Sequence, residues 1–232
     1  LLVKEAITIS KHLKSRGPDS TGYWINSQLG LSFTHRRLAI QDISSKGNQP
    51  FMSHSGRYVI IYNGEIYNHK SIRKELSKKS QRNYKWSSNS DTETLLACIE
   101  EWGLQRSLNK FVGMFAFALW DKKKRSLSLA RDRFGEKPLY FGQKKIIYSE
   151  KNSFIFASDL SALRAIQGFN IELNKSAIAS FFNQGFISAP LSIEEGIFQL
   201  KPGHYLEISF ENIDQNNFSK LKEKQWYDTN DI

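Results

Sequence analysis

The run Phe111–Trp120 is apolar at nearly every position, and it constrains the fold more than any other stretch of the chain. A strand with one wet face alternates apolar and polar residues; a run without alternation has to be covered on both faces. Asp121–Arg125 reads as a charged turn and Ser126–Ala130 as a returning strand, so the buried run is one arm of a hairpin. Covering layers are available. Leu1–Leu13 sets Leu2, Val3, Ala6, Ile7 and Leu13 between Lys and Glu, as in an amphipathic helix. Asp91–Trp102 gathers Leu95, Leu96, Cys98, Ile99 and Trp102 into one stripe. Shorter helices are expected over Ser71–Leu76, Asp159–Ile166 and Asn174–Asn183. Further strands are expected over Leu29–Ile40, Tyr58–Ile61, Lys144–Ser149 and Ser153–Ala157, with a last strand pair within Ile193–Ile208. Strands joined mainly by hairpins, with helices before and after them, predict an α+β fold of antiparallel sheets with helices outside. Beyond Phe210 the chain turns polar, which makes residues 1–209 the domain and 210–232 a connector.

The net charge of +10 would suit a nucleic-acid partner, but the lysines fall at Lys78-Lys79, Lys122–Lys124 and Lys144-Lys145, in turns and helix ends without an aromatic stacking platform. A solvated surface accounts for them, and no nucleic-acid partner is expected. No run approaches the ~20 apolar residues of a membrane span. The one cysteine permits no internal disulfide, which suits the cytoplasm. Five histidines are scattered without a ligand pattern, so no metal is expected, and His35 and His204 read as structural. Cys98, within the apolar stripe, reads as an inert small hydrophobe rather than a nucleophile.

Chemistry concentrates at Tyr62-Asn63-Gly64-Glu65-Ile66-Tyr67-Asn68, where the strand ends in an amide, a glycine and a carboxylate. Asn-Gly is the strongest short signal for a type I′ hairpin turn, and that is one reading. The other is a pocket: Gly64 allows a ligand close to the backbone and leaves an N–H free, and the Asn63 amide is a second donor. Two neutral donors converging on one point suit a developing oxyanion. Arg37, at the end of the Leu29–Ile40 strand, offers a fork that fits an α-carboxylate; an internal pair with Asp42 or Asp19 is the alternative. Ser90-Asp91-Thr92-Glu93 has the pattern of a capping box, in which the serine hydroxyl bonds the N3 amide and Glu93 reaches back to the cap. Asp91 in that first turn suits the helix dipole.

Asn63-Gly64-Glu65-Ile66-Tyr67-Asn68 resembles the glutaminase domain of glutamine-hydrolysing asparagine synthetases, class II amidotransferases of the N-terminal-nucleophile hydrolase group. The likeness extends through Arg16-Gly-Pro-Asp19, His35–Asp42, Ser90–Glu93, Phe111–Phe117, Arg131–Tyr140 and Leu200–His204, seven blocks in order over nearly the whole chain. It implies a four-layer αββα sandwich. It also implies that L-glutamine is held by Arg37 and by the segment Leu38, Ala39, Ile40 and Gln41, with Glu65 and Asp91 on its ammonium and Asn63 and Gly64 forming the oxyanion hole. The loop at Arg16–Asp19 would lie beside the site, and Arg131–Tyr140 would be a structural loop at its base.

In the resembled family the nucleophile is a cysteine at the mature N-terminus, whose α-amino group acts as base. Position 1 here is Leu, so a strand of roughly ten to twenty residues carrying that cysteine is expected to precede it. Family members also continue into an ATP-pyrophosphatase domain that activates aspartate. Its phosphate loop does not occur in these residues, so ATP and Mg²⁺ are implied for the parent protein and no cofactor for this chain. That synthetase domain is the expected partner, with a homodimer left open. Two alternatives stand beside this reading: an amidotransferase with another acceptor, in amino-sugar or surface-polysaccharide biosynthesis, and a non-catalytic glutamine-binding module.

Overall fold

A computed structural model describes residues 2–39, 44–79, 84–145, 152–215 and 221–228. The doubly apolar run forms β5 (Gly113–Asp121), which lies inside a six-stranded antiparallel sheet with β3 (Phe51–Met52), β4 (Tyr58–Ile66), β6 (Ser126–Arg131), β10 (His204–Ser209) and β11 (Glu223–Gln225), in the order β11-β10-β6-β5-β4-β3. Its alternate side chains enter two different cores. Phe115, Phe117 and Leu119 pack with Ile60, Leu76, Leu95 and Leu108 beneath helices α2 (His69–Lys79), α3 (Asp91–Trp102) and α4 (Leu104–Lys110). Ala116, Ala118 and Trp120 pack with Phe33, Leu139, Phe141 and Leu200 on the opposite side.

That second core is closed by two smaller antiparallel sheets. One is the hairpin of β1 (Ser20–Asn26) and β2 (Leu31–Arg37); the other is β7 (Tyr140–Lys145), β8 (Asn152–Ala157) and β9 (Ile197–Gln199), in the order β8-β7-β9. Outside them, α1 (Leu2–His12) packs on β2 and on α5 (Leu160–Arg164), while Ile9 joins Ile155, Leu163, Ile166 and Ile197 in a third cluster. The result is the expected four-layer αββα sandwich. Two further helices, α6 (Lys175–Gln184) and α7 (Phe210–Asp214), are each capped by a side chain, Asn174 and Ser209 respectively.

Several local readings are corrected. Asn63-Gly64 is not a hairpin turn: β4 runs straight through it, with Asn63 opposite Ala116 and Gly64 opposite Phe115. The predicted strand pair within Ile193–Ile208 divides between sheets, β9 pairing with β7 and β10 with β6. Strand β1 was not anticipated. The stretch expected as connector adds β11 to the large sheet and buries Trp226, which stacks on Phe115 at 5.9 Å and donates Nε1–H to the Arg131 carbonyl. Of the strand expected over Lys144–Ser149, residues 146–149 lie outside the described residues.

Candidate active site

Strand β3 covers β4 only at Val59 and Ile60, so among the described residues the rest of that edge has no strand neighbour. Side chains from three other elements take its place. The Tyr62 N–H donates to Gln49 Oε1 (2.6 Å), the Tyr62 carbonyl lies 3.2 Å from His35 Nε2, and the Ile66 N–H donates to Asp91 Oδ2 (2.8 Å). Backbone groups two apart point the same way in a strand, so the Gly64 N–H, midway between those of Tyr62 and Ile66, also points out of the open edge. Phe115, opposite Gly64, confirms the alternation, because its N–H and carbonyl bond Asp132 on its far side. Gly64 and Phe115 are therefore a closely spaced, non-hydrogen-bonded pair. A Cβ on Gly64 would stand 2.2 Å from the Met114 carbonyl oxygen, so only glycine fits.

Asn63 and Glu65 project from the opposite face of β4 to Tyr62 and Ile66. Both line a cavity of about 470 Å³, together with Gly64, Arg37, Leu38 and Asp91. The Asn63 amide takes no hydrogen bond from the described residues. Arg37, at the end of β2, donates Nη1–H to the Ser44 carbonyl (2.7 Å) and to Asn48 Oδ1 (2.9 Å), and its Nη2 side packs against Gly47, where a Cβ would clash with it. Asp19, one of the proposed internal partners of Arg37, instead accepts the Ala39 N–H at 2.8 Å. Asp42, the other, lies outside the described residues, as do the predicted site residues Ile40 and Gln41. Ala39, whose N–H meets Asp19, is not part of the cavity lining among the described residues.

Asp91 is buried at the first position of α3, and its Oδ2 also accepts the Tyr62 hydroxyl (2.6 Å). Burial and then the Asp91 charge push the Tyr62 phenol well above its ordinary pKa, so it remains a donor to that carboxylate. The capping-box expectation holds for one residue of the two. Ser90 Oγ accepts the Thr92 N–H, at N2 rather than N3, whereas Glu93 turns away from the cap. It accepts the N–H and O–H groups of Ser87 and Ser88 at 2.8–2.9 Å. Burial pushes the Glu93 carboxyl up, but these bonds outweigh it and hold the group below the ordinary value.

Two further residues reach this site. His35, read from the sequence as structural rather than a metal ligand, lines the cavity; its Nε2 meets the Tyr62 carbonyl, while its buried Nδ1 has no partner among the described residues. Burial first, and the Arg37 charge after it, lower its pKa to about 4 despite the bond to Tyr62, so the ring is neutral and Nε2 carries the proton it donates. Gln49 gave no signal beyond preceding a proline in a polar loop. Cys98 behaves as expected: fully buried in α3, with a thiol pKa raised far up by burial. No group of three or more His, Cys, Asp or Glu among the described residues is placed to hold a metal. Nor is any described helix long and apolar enough to cross a membrane.

Residues 3–219 match the sequence profile of the glutamine amidotransferase domain. A putative glutamine-hydrolysing asparagine synthetase from Methanocaldococcus jannaschii is 35% identical over 221 residues, covering 86% of this chain and 40% of the relative. Asparagine synthetase 3 of Bacillus subtilis is also 35% identical, over 91% of this chain and 33% of its own length. This chain thus spans well under half the length of these relatives. The glutamine phosphoribosylpyrophosphate amidotransferase of B. subtilis shares the fold at 19% identity and a TM-score of 0.53, over 84% of this chain and 35% of that one. A structure titled as the allosteric regulatory enzyme of purine biosynthesis does so at 19% and 0.56 with the same coverage. The seven sequence blocks, the layered architecture and these matches agree: the chain belongs to the glutamine amidotransferase domain family.

Proposed function

We propose that the chain is the glutaminase domain of a glutamine-hydrolysing asparagine synthetase, releasing ammonia from L-glutamine for transfer to aspartate. One observation carries the reading: the outward Gly64 N–H and the Asn63 amide face a single cavity that also holds a guanidinium and two carboxylates. The substrate's side-chain carbonyl would lie between the two donors. They stabilise the oxyanion formed when a thiolate adds to the amide carbon, and their orientation is fixed before the charge develops. The amide nitrogen takes up the proton that the thiol gave to the α-amino base and leaves as ammonia, and water then cleaves the thioester to glutamate and the free thiol. Arg37 receives the α-carboxylate; Glu65 and the remaining Asp91 oxygen receive the α-ammonium.

Cys98 is not that thiolate, being sealed in the helix-covered core, so the nucleophile is assigned to an N-terminal cysteine of the parent protein outside these 232 residues. Aspartate activation, with ATP and Mg²⁺, is assigned to the synthetase part of the same protein, which is the domain's partner. The names of the relatives favour aspartate over an amino-sugar acceptor.

The test is glutamate release from glutamine by the full-length protein. Asn63→Ala is expected to lower kcat about a hundred- to a thousandfold with little change in KM. Arg37→Ala is expected to raise KM by at least about tenfold, since it removes a charge-assisted clamp made equally in ground and transition states. An Asn63→Ala enzyme with normal kcat, or an Arg37→Ala enzyme with normal KM, would overturn the assignment.

A further inference from the structure

Gln49 and His35 are given no part in the reaction just proposed, yet both reach the one strand edge on which it depends. An ordinary sheet would position the Gly64 N–H by laying another strand alongside β4. Here β3 stops short, because its pairing ends at Ile60. A neighbouring strand would also occupy the Gly64 N–H and abolish the site. The edge therefore has to be held on both sides of Gly64 without being covered at Gly64 itself.

On the far side that is done by Asp91, through the Ile66 N–H. On the near side one residue, Tyr62, is gripped twice, at its N–H and at its carbonyl. Gln49 Oε1 takes the Tyr62 N–H at 2.6 Å, and the His35 Nε2–H reaches the Tyr62 carbonyl at 3.2 Å. These are the two contacts that a partner strand would make with a single residue of an antiparallel ladder. We infer that Gln49 and His35 are positioning residues that replace a strand partner at Tyr62 and fix the direction of the Gly64 N–H. Neither touches the reacting atoms in this scheme; each acts through the β4 backbone.

The surroundings fit that task. Gln49 is nearly fully buried, and so is Tyr62 at 4% exposure, so neither bond is in competition with bulk water. His35 is carried by β2, the strand that also presents Arg37, so one element sets both the oxyanion donor and the carboxylate clamp. The neutral ring is the form that lets Nε2 donate while adding no charge beside that clamp.

The inference rests on the glutaminase reading, so its test has to separate the two. In the full-length protein, Gln49→Leu removes the acceptor and His35→Phe removes the donor while keeping a ring. Each is expected to lower kcat for glutamate release about ten- to a hundredfold, as when a catalytic donor is misplaced by a fraction of an ångström, with KM within about twofold. Gln49→Glu and His35→Gln, which restore an acceptor and a donor, are expected to recover most of the rate. A purely structural role would lower the melting temperature and would not give a selective fall in kcat that the conservative variants rescue. If Gln49→Leu does not fold, Gln49→Asn is read in its place, since it keeps the amide but withdraws it by one methylene.

Unchanged kcat in these variants, or a rise in KM in place of the fall in kcat, overturns the inference. The Asn63→Ala control distinguishes the failures. If it is slow while the Gln49 and His35 variants are normal, the oxyanion site stands and only the positioning role falls; if it too is normal, the glutaminase reading falls with it.

Discussion

Two polar clusters flank β5, and the contrast between them separates architecture from chemistry. On one side, Asp132 is completely buried and accepts the N–H groups of Phe134 and Glu136 on one oxygen and of Lys137 and Phe115 on the other. Beside it Arg131 donates to the carbonyls of Lys137, Leu200 and Gly135 at 2.7–2.8 Å. On the other side, the β4 edge is held at Tyr62 and Ile66 but leaves the Gly64 N–H and the Asn63 amide unengaged within the described residues. Both clusters come from motif-like, charge-rich sequence. The first engages both carboxylate oxygens and three guanidinium nitrogens with the protein's own backbone; the second keeps a gap, at the cavity where the proposed substrate amide would lie.

The largest expected effect follows from filling versus gap. Asp132→Ala removes the acceptor of four buried or half-buried N–H groups and should destabilise the protein by about 3–5 kcal/mol, the range for deleting one member of a buried charged cluster. Asn63→Ala, whose amide has no partner among the described residues, should change stability by less than about 1 kcal/mol. Denaturant midpoints of the two variants of the full-length protein compare them directly. An Asp132→Ala protein of normal stability but with a selectively lowered kcat would erase the distinction.

A smaller effect tests whether His35 is held neutral. Its pKa is lowered from 6.5 to about 4, chiefly by burial. Between those values the unfolded chain binds the proton and the folded chain does not, so the contribution is fully present above pH 6.5 and is lost as pH falls toward 4. The size is on the order of 3 kcal/mol at most. Carboxylates titrate in the same window, so the measurement is the difference between wild type and His35→Gln. The melting temperature of the wild type should fall more steeply between pH 6.5 and 4.5. Parallel curves would show that the imidazole is solvated.

The fold was legible where burial writes itself into periodicity. The β5–β6 hairpin and the inward stripe of α3 are strong because each carries a core face. What could not be read was long-range. Asn-Gly signals a hairpin only when the flanking residues pair with each other; here β4 pairs with a strand some fifty residues later, and Gly64 is demanded by the Met114 backbone pressing against it. Glu93 fits a capping box locally, but Ser87 and Ser88 compete for it from a folded loop. Strand β1 was missed because its residues are only half-buried and show no clean alternation. At the site, Asn63, Gly64, Glu65, Arg37 and Asp91, picked out by residue chemistry and resemblance, line one cavity, whereas Gln49 carries no such signal: the role inferred for it arises only because β3 is too short.

The smallest effect is expected at the residue whose chemistry would otherwise attract most suspicion. Cys98 is the chain's one thiol, and a glutaminase needs a sulfur nucleophile in the reading proposed here. It points into the core formed by Leu95, Ile99 and the helix-facing side of the large sheet, with no exposed surface. Asn63 projects from the opposite face of β4. A substrate amide bound at the Asn63 side would thus have the sheet between it and this sulfur. Burial, reinforced by the Glu75 charge, also keeps the thiol protonated, and a protonated thiol is a poor nucleophile. Cys98→Ala in the full-length protein should therefore leave kcat and KM within about twofold of wild type and cost at most about 1 kcal/mol of stability, from one lost sulfur contact. Native protein should likewise keep Cys98 unmodified by a thiol alkylating agent until it is unfolded. A folded Cys98→Ala protein without glutaminase activity would move the reaction to the helix side of the sheet and leave the open edge of β4 without a function.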